Sequence, residues 1–253
     1  MNLTYFRIDL TRHLRDVSNI AFVIGLPVLM YLIFGSAFTS PDVMSGNANT
    51  QFYVMMSMAI YGASVATTAI AGMASVELMQ GWGRQVALTP MRPAQYVATK
   101  ITVALTVAAG GVLAVFLAGI LTGARATSAG VWVTSGLLAW LLSGIFALFG
   151  LAVAQTFKSE SAISIASAGL VVLAFFGNLM MPLSGTIMQL SRFTPMYGYA
   201  AIARWPQLAG VVVATDGPPT ESDPLWLLLV NYVTWLVIFA AIALLAVRRG
   251  RRQ

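Results

Sequence analysis

Six long apolar runs constrain the fold of this chain more than any other feature of its sequence. None of the runs carries a charged residue near its centre. They cover approximately residues 18–38, 52–76, 99–122, 131–155, 161–181 and 225–247. A helix needs about 20 apolar residues to cross a bilayer, and a central Arg or Asp would cost about 2.5–3.5 kcal/mol on insertion. The runs therefore predict an all-α membrane protein with six transmembrane helices.

The low charge content agrees with a protein that faces lipid. Only 9% of the 253 residues are charged and 58% are hydrophobic, whereas a soluble domain carries about 25% charged residues. The formal charge of +6 lies mainly at the ends of the apolar runs, which indicates membrane topology and argues against a nucleic-acid partner. The absence of cysteine and the single histidine argue against a metal site.

The basic residues also predict the orientation of the chain, because Lys and Arg favour short cytoplasmic loops. With the N-terminus inside, eleven of the 14 basic residues lie on the cytoplasmic side. Arg125, Arg192 and Arg204 would lie outside. We therefore expect a multi-pass protein of the cell (plasma) membrane with both termini in the cytoplasm.

The N-terminal segment 1–17 has the pattern of an amphipathic helix. Its apolar residues at helical spacing are Leu3, Phe6, Leu10, Leu14 and Val17, and its arginines lie elsewhere on the helical wheel. This pattern predicts an interfacial helix lying on the inner face of the membrane. Packing against another subunit is the alternative.

Two segments between the runs have unusual compositions. Residues 77–98 form the only sizeable loop predicted on the cytoplasmic side, and their glycines and prolines indicate defined bends. Residues 182–210 are too apolar for an exposed loop and too interrupted by proline for a span. Because irregular backbone at membrane depth must be covered by protein, we expect two short helices, at about 184–193 and 196–204, that form a re-entrant pair before the last span.

Several motifs are missing from the sequence. Neither lysine, Lys100 or Lys158, stands in a Gly-x-x-x-x-Gly-Lys-Ser/Thr motif, so the chain has no P-loop for ATP. Apart from Lys100 at the start of the third run, no charged residue lies inside the six runs, which argues against a proton-coupled or sodium-coupled carrier. His-Glu-x-x-His and Gly-x-Ser-x-Gly are also missing. We therefore expect the chain to have no enzymatic activity by itself and to bind no cofactor.

The order of these features resembles the ABC-2 type transporter permeases, the membrane subunits of type V ABC exporters. Glu77, followed by Leu88-Thr89-Pro90, is similar to the family pattern after the second span, and Tyr96 to Lys100 is similar to its entry into the third. The resemblance covers essentially the whole chain, 1–253, as a single transmembrane domain.

A second match lies in the outer segment before the last span. Met181-Pro182 and Thr194-Pro195-Met196-Tyr197 resemble the family sequence there, with Pro182, Pro195 and Tyr197 as the residues of interest. No second proline stands between Pro182 and Pro195, which is a departure from the family pattern.

The resemblance implies a complex. Two permease subunits, identical or homologous, would pair around a central path in the lipid bilayer. Each would contact one of two copies of an ABC ATPase subunit, which would bind ATP and Mg. Segment 77–98 would be the coupling loop, and the residues expected at the ATPase are Glu77, Trp82, Arg84, Gln85 and Leu88. Trp82 and Arg84 could instead anchor in lipid headgroups, and Glu77 could pair with Arg84 or with a basic residue of the N-terminal helix.

Residues of the second and fifth runs are candidates for the substrate path. Methionine suits a surface that accepts varied apolar compounds, although ordinary packing is the alternative. The candidates are Met55, Met58, Tyr61, Ser64, Thr68, Phe175, Phe176, Asn178 and Met181.

The expected function is ATP-driven export of an amphipathic drug, antibiotic or lipid-like molecule. Export of a polysaccharide or lipid-linked glycan is an alternative, and so is a non-transporting membrane scaffold or sensor.

Overall fold

The described part of the chain is mostly helical. The computed structural model describes residues 3–38, 43–77, 93–157, 161–213 and 221–250. The helices are α1 (Leu3–Arg15), α2 (Val17–Ile20), α3 (Leu26–Phe38), α4 (Thr50–Glu77), α5 (Pro93–Thr122), α6 (Ala129–Leu142), α7 (Gly144–Phe157), α8 (Ala162–Phe176), α9 (Gly185–Ser191), α10 (Pro195–Ala203), α11 (Trp205–Leu208) and α12 (Leu225–Gly250). A π-helical turn, Ala21–Gly25, joins α2 to α3.

Five helical stretches are long and apolar enough to cross a membrane, which confirms a helical protein with several candidate spans. They are Val17–Gly35, Thr50–Ala74, Gln95–Thr122, Ala129–Phe157 and Leu225–Leu245. The fifth predicted run contains only the 15 residues of α8 as helix. Gly177 and Asn178 end α8, and Asn178 adopts a left-handed conformation with φ of 55°, although the apolar run continues to Met181. The count of six spans therefore stays a prediction.

Helix α4 is the centre of the bundle. Its apolar stretch is 89% buried, whereas Val17–Gly35 and Leu225–Leu245 are each 17% buried. Two glycines allow close packing at α4. A Cβ atom on Gly150 of α7 would lie 2.3 Å from the carbonyl oxygen of Thr68, and one on Gly62 would lie 2.8 Å from Pro27 Cγ. Small residues permit such approach between helices in membranes, so α3 and α7 pack directly against the backbone of α4.

The two least buried stretches, Val17–Gly35 and Leu225–Leu245, expose large apolar side chains on the faces that point away from the bundle. Examples on α12 are Trp226, Val230, Val233, Val237 and Leu244. A continuous exposed apolar surface of this kind is unfavourable in water and is typical of contact with lipid or with another subunit. The packing thus agrees with the composition in indicating a membrane protein.

One end of the bundle is closed by a small hairpin, and we call this the hairpin end. Strands Met44–Ser45 and Ala48–Asn49 pair antiparallel. At the turn, Gly46 has φ of +66°, and a Cβ atom there would lie 2.3 Å from the carbonyl oxygen of Gln207. The amide of Asn47 donates to that same oxygen at 2.8 Å. The hairpin is therefore fixed to α11, and only glycine fits at its tip.

The predicted pair of short helices is present as α9 and α10, with α11 as an additional turn. Thr194 caps α10 by accepting a hydrogen bond from the amide of Tyr197 at 3.3 Å, and Pro195 occupies the first turn, where proline is favourable. Almost every residue of α10 is buried. Entry of this pair into the membrane stays a prediction.

Replacing Gly150 by alanine tests the close packing of α7 on α4. We expect Gly150→Ala to destabilise the fold by about 1–3 kcal/mol, because the new methyl group would overlap the Thr68 carbonyl. The matched control is Gly169→Ala on α8, whose Cβ atom would lie 3.6 Å from Phe149 Cζ, an ordinary contact. Thermal unfolding in detergent would compare the two. Equal melting temperatures would contradict the close approach.

Candidate coupling site

Helix α1 turns two polar residues toward the bundle. Asp9 and His13, one helical turn apart, are each 4% exposed. Phe6 and Leu10 also pack against the core. The other predicted apolar positions, Leu3, Leu14 and Val17, are exposed. The predicted single apolar face is therefore divided between core and surroundings, and the position of α1 at a membrane surface stays a prediction.

Lys100, in the second turn of α5, is the central residue of a charge cluster. Its side chain is 2% exposed, and Nζ lies 2.7 Å from Asp9 Oδ1 and 2.8 Å from Glu77 Oε2. Glu77 is the last residue of α4. A buried ammonium group is unfavourable unless it is paired and hydrogen-bonded. The two carboxylates satisfy Lys100 and thereby join α1, α4 and α5.

Glu77 makes further contacts within the cluster. Its Oε1 lies 2.8 Å from an Nη of Arg12, and its Oε2 accepts a hydrogen bond from Tyr96 at 3.1 Å. The Tyr96 hydroxyl is also 3.2 Å from the carbonyl oxygen of Ala74. Because the Arg12 side chain is 61% exposed, its ion pair is screened by water and contributes about 0–1 kcal/mol. The buried contacts of Lys100 therefore contribute most to the joint between α1, α4 and α5.

The aromatic rings of Tyr5 and Tyr96 cover the cluster. Their centroids are 6.0 Å apart, and Lys100 Nζ lies 5.7 Å from the Tyr96 ring and 6.0 Å from the Tyr5 ring. An ammonium group at this distance from a ring face is attracted by the ring quadrupole. The rings also exclude water, which strengthens the ion pairs of Lys100.

The protonation of the cluster follows from its charges. Burial opposes ionisation of Glu77, but the hydrogen bond and charge of Lys100, with the charge of Arg12, outweigh it and lower the pKa of Glu77. Burial lowers the pKa of His13; the Asp9 carboxylate opposes this effect, and the cations Lys100 and Arg12 add to it. At neutral pH the Glu77 side chain is therefore ionised and the His13 imidazole is neutral.

The cluster flanks the predicted coupling loop on both sides. Glu77 immediately precedes residues 78–92, and α5 begins at Pro93. We call this end of the bundle the charged end. The other residues predicted to contact an ATPase lie outside the described residues, and their role stays a prediction. They are Trp82, Arg84, Gln85 and Leu88. Of the two partners considered for Glu77, the structure contains the pair with the N-terminal helix, through Arg12.

The predicted substrate-path residues lie in three different environments. Those of α4 are buried in the bundle core: Met55, Met58, Tyr61, Ser64 and Thr68. Phe175 and Met181 are exposed on the bundle surface, and Phe176 is partly buried. The structure of the single chain does not bring the two sets together on one surface, and a role for either set in transport stays a prediction.

Asn178 connects segments at the hairpin end. Its side chain donates to the carbonyl oxygen of Val213 at 3.0 Å and accepts from the amide of Leu183 at 2.8 Å. The backbone carbonyl oxygen of Asn178 accepts a hydrogen bond from the Arg204 guanidinium at 3.0 Å. Arg204, predicted to lie outside at the end of the second short helix, is buried, and its guanidinium carbon lies 4.2 Å from the centroid of the Tyr53 ring. A cavity of about 30 Å³ lies beside these residues.

The predicted re-entrant residues have structural contacts at the same end. Tyr197 donates to Asp223, and Asp223 in turn pairs with Arg192 at 3.1 Å. Pro195 is buried at the start of α10, and Pro182 is half-exposed at the end of the turn after α8. These contacts fix α9 and α10 to the segment that leads into α12.

Comparison with known proteins gives one informative similarity. No family model matches the chain. A protein of Bacillus subtilis (strain 168), named "Putative transport permease YvfS", is 23% identical over 239 residues, which cover 91% of this chain and 90% of that protein. The similarity extends over nearly the full length of both proteins. Together with the apolar helices, it supports a membrane protein with a transport role.

Removing the central cation tests the cluster. Lys100→Met would leave two buried carboxylates facing each other, and we expect a loss of about 3–5 kcal/mol in the free energy of unfolding. The control is Arg12→Gln, which removes an exposed ion pair and should cost about 0–1 kcal/mol. Both are measured by thermal unfolding in detergent. A Lys100→Met variant as stable as Arg12→Gln would contradict the assigned role.

The cluster should also make stability depend on pH. Because the folded state lowers the pKa of His13 below its ordinary value of 6.5, the unfolded state binds a proton first, and stability falls as the pH drops below that value. Glu77 also lowers the stability as the pH falls, but at lower pH, since its carboxylate is favoured in the folded state. We expect the melting temperature to fall between about pH 7.5 and about pH 5.5, and to fall less in His13→Gln. Identical pH profiles would exclude His13 as the source.

Proposed function

We propose that this chain is the membrane-spanning permease subunit of an ATP-driven exporter and that a separate ABC ATPase supplies the energy. The observation that carries the proposal is the buried joint at Lys100, which ties the helices on both sides of residues 78–92 to α1. The sequence has no P-loop, so ATP hydrolysis must be supplied by another chain if transport is ATP-driven. The similarity to a transport permease supports the transport part of the proposal.

The joint offers a route for mechanical coupling. An ATPase that docks on the segment 77–98 would push on the last residue of α4 and on the first turns of α5. Because Lys100 links these helices to each other and to α1, the three would move as a unit. Helix α4 contains the most buried of the five candidate spans, so a displacement of α4 would act directly on the core of the bundle.

The proposed topology follows the basic residues. The charged end would lie in the cytoplasm with both termini, and the hairpin end would lie outside the plasma membrane. Two permease subunits would pair around a path between them, each with its own ATPase, and the exposed apolar faces of α3 and α12 would contact lipid or the second permease. An amphipathic drug, antibiotic or lipid-like compound is the proposed substrate, because the described connections at the hairpin end are short.

Reconstitution with an ATPase tests this proposal. The chain would be co-purified with its ATPase, placed in liposomes and assayed for substrate-stimulated ATP hydrolysis and for efflux. The triple variant Trp82→Ala, Arg84→Ala and Leu88→Ala should weaken ATPase docking about a hundredfold or more, because interface anchors of this kind contribute about 1–2 kcal/mol each. The control is Arg125→Ala, an exposed residue at the hairpin end, which should leave docking unchanged.

The outcomes separate the candidate functions. Full stimulation of the ATPase by the triple variant would show that docking occurs elsewhere. A wild-type complex that binds an ATPase but neither exports nor stimulates hydrolysis would favour a membrane scaffold or sensor.

A further inference from the structure

The apolar stretch Ala129–Phe157 is broken at its middle. Helix α6 ends at Leu142 and α7 begins at Gly144, so Ser143 separates them. The stretch has 29 residues, and the break therefore lies near the centre of the hydrocarbon layer if the stretch crosses a membrane. A Ser-Gly pair is a common cause of sharp helix kinks. Here the Ser143 hydroxyl donates to the carbonyl oxygen of Trp140 at 2.5 Å.

The backbone hydrogen bonds change register at the break. The amide of Ser143 is directed to the carbonyl oxygen of Leu141, and the amide of Phe146 donates to the carbonyl oxygen of Ser143 at 2.9 Å. In a regular α-helix these two amides would bond to the carbonyl oxygens of Ala139 and Leu142, four residues back. The break therefore takes the usual intrahelical donors away from those two oxygens.

Tyrosine hydroxyls from other helices replace the lost donors. Tyr199 of α10 donates to the carbonyl oxygen of Ala139, and Tyr232 of α12 donates to that of Leu142 at 2.9 Å. The oxygens that receive these bonds are the two that the change of register leaves free. In a membrane a carbonyl group without a donor is strongly unfavourable, so the tyrosines stabilise the broken form.

Two threonines of α4 bond to the same turn. Thr67 Oγ1 lies 3.0 Å from the carbonyl oxygen of Ser143 and 2.8 Å from that of Ala63 in its own helix, so the two oxygens share its one proton. Thr68 Oγ1 lies 3.2 Å from the carbonyl oxygen of Phe146. Four hydroxyl groups from three helices thus converge on the two helical turns around the break, from Ala139 to Phe146. The two tyrosine bonds are not required in a continuous helix, because the carbonyl oxygens of Ala139 and Leu142 would then accept from the helix's own amides.

The stretch can therefore satisfy its carbonyl groups in two ways: by the hydroxyls when bent, or by its own amides when straight. Its two halves share α4 as a neighbour but differ in their other contacts. Helix α7 packs on α4 and α12, whereas α6 packs on the short helices α10 and α11 and also contacts α4 and α5. A change of bend would move the hairpin-end helices relative to the central helix.

We propose that the break at Ser143–Gly144 is a hinge of the transport cycle, and that Tyr199, Tyr232, Thr67 and Thr68 are positioning residues that hold it bent. The inference rests on the proposed transport function. Motion of α4 at the charged end would shift the two threonines against the turn, and Tyr199 would pass the change to α10.

Distance measurements test the hinge directly. The chain contains no cysteine, so pairs of spin labels can be introduced without background. Val133 and Phe157 are exposed on opposite sides of the break, and about 24 residues of helix place them about 36 Å apart. Thr106 and Leu121, exposed on the unbroken α5, form the control pair at about 22 Å. In the complex with its ATPase in nanodiscs, ATP binding should shift the first distance by several ångströms and leave the second unchanged.

Replacing Gly144 by alanine tests whether transport requires the stretch to bend. A Cβ atom at Gly144 would have Leu105 Cδ2 at 4.0 Å as its nearest neighbour, so Gly144→Ala fits sterically and favours the straight helix. We expect the substrate exported per ATP to fall about tenfold while ATPase docking is retained. The control is Gly110→Ala on α5, with a similar nearest contact of 3.7 Å to Ile24.

Hydroxyl deletions test the positioning residues. The double variant Thr67→Val and Thr68→Val should broaden the distance distribution across the break, because the bent form loses two of its donors. Thr106→Val on α5, whose hydroxyl bonds only to its own helix at Thr102, should not. If the double variant does not fold, Tyr232→Phe replaces it with the same expected broadening.

The outcomes keep the hinge and the proposed function apart. Active export with an unchanged distance across the break, or full activity in Gly144→Ala, would show a fixed kink and overturn the hinge while the exporter assignment stands. A complex without substrate-dependent hydrolysis or export would overturn the proposed function and the hinge together.

Discussion

The pairing of Lys100 is the interaction on which the charged end depends. A lysine only 2% exposed is tolerated in an apolar bundle because Asp9 and Glu77 approach it from two other helices. This requirement fixes the rotation of α1, since Asp9 must face inward and the helix's arginines are then directed away from the core. It also fixes the distance between the end of α4 and the beginning of α5, the two helices that flank residues 78–92. One desolvated charge thus organises three helices.

The same rule governs backbone groups elsewhere in the bundle. Hydroxyl, amide and guanidinium donors reach carbonyl oxygens that lack an intrahelical partner, at Asn178 as well as at the middle of the fourth apolar stretch. In water such oxygens would be hydrated, but within an apolar bundle the protein must supply the donor. Tyrosine and threonine suit this role because each combines a hydroxyl with an apolar body.

The sequence predicted the helical stretches well and the contacts poorly. Length and hydropathy are local properties, so the central helix α4 and the helices on either side were predicted close to their observed bounds. Hydropathy did not show where α8 ends, because the apolar run passes Gly177 and Asn178, although that pair is a helix-ending signal. The pairing of Lys100 with Asp9 could not be predicted, because 91 residues separate them. Only the presence of an Asp in an amphipathic helix and a Lys in an apolar one hinted at it.

The two features of greatest functional interest lie on one rigid element. Helix α4 carries Glu77 at the charged end and Thr67 and Thr68 at the break, about ten residues or about 15 Å away along its axis. A tightly packed helix transmits an axial or rotational displacement over this distance with little loss, because protein interiors have low compressibility. No separate chain of side chains is then required between an ATPase contact and the bend. The close contact of Gly150 with Thr68 makes α7 follow α4, whereas α6 is also held by α5, α10 and α11. The break is therefore the place where the two halves of this stretch must accommodate a relative motion.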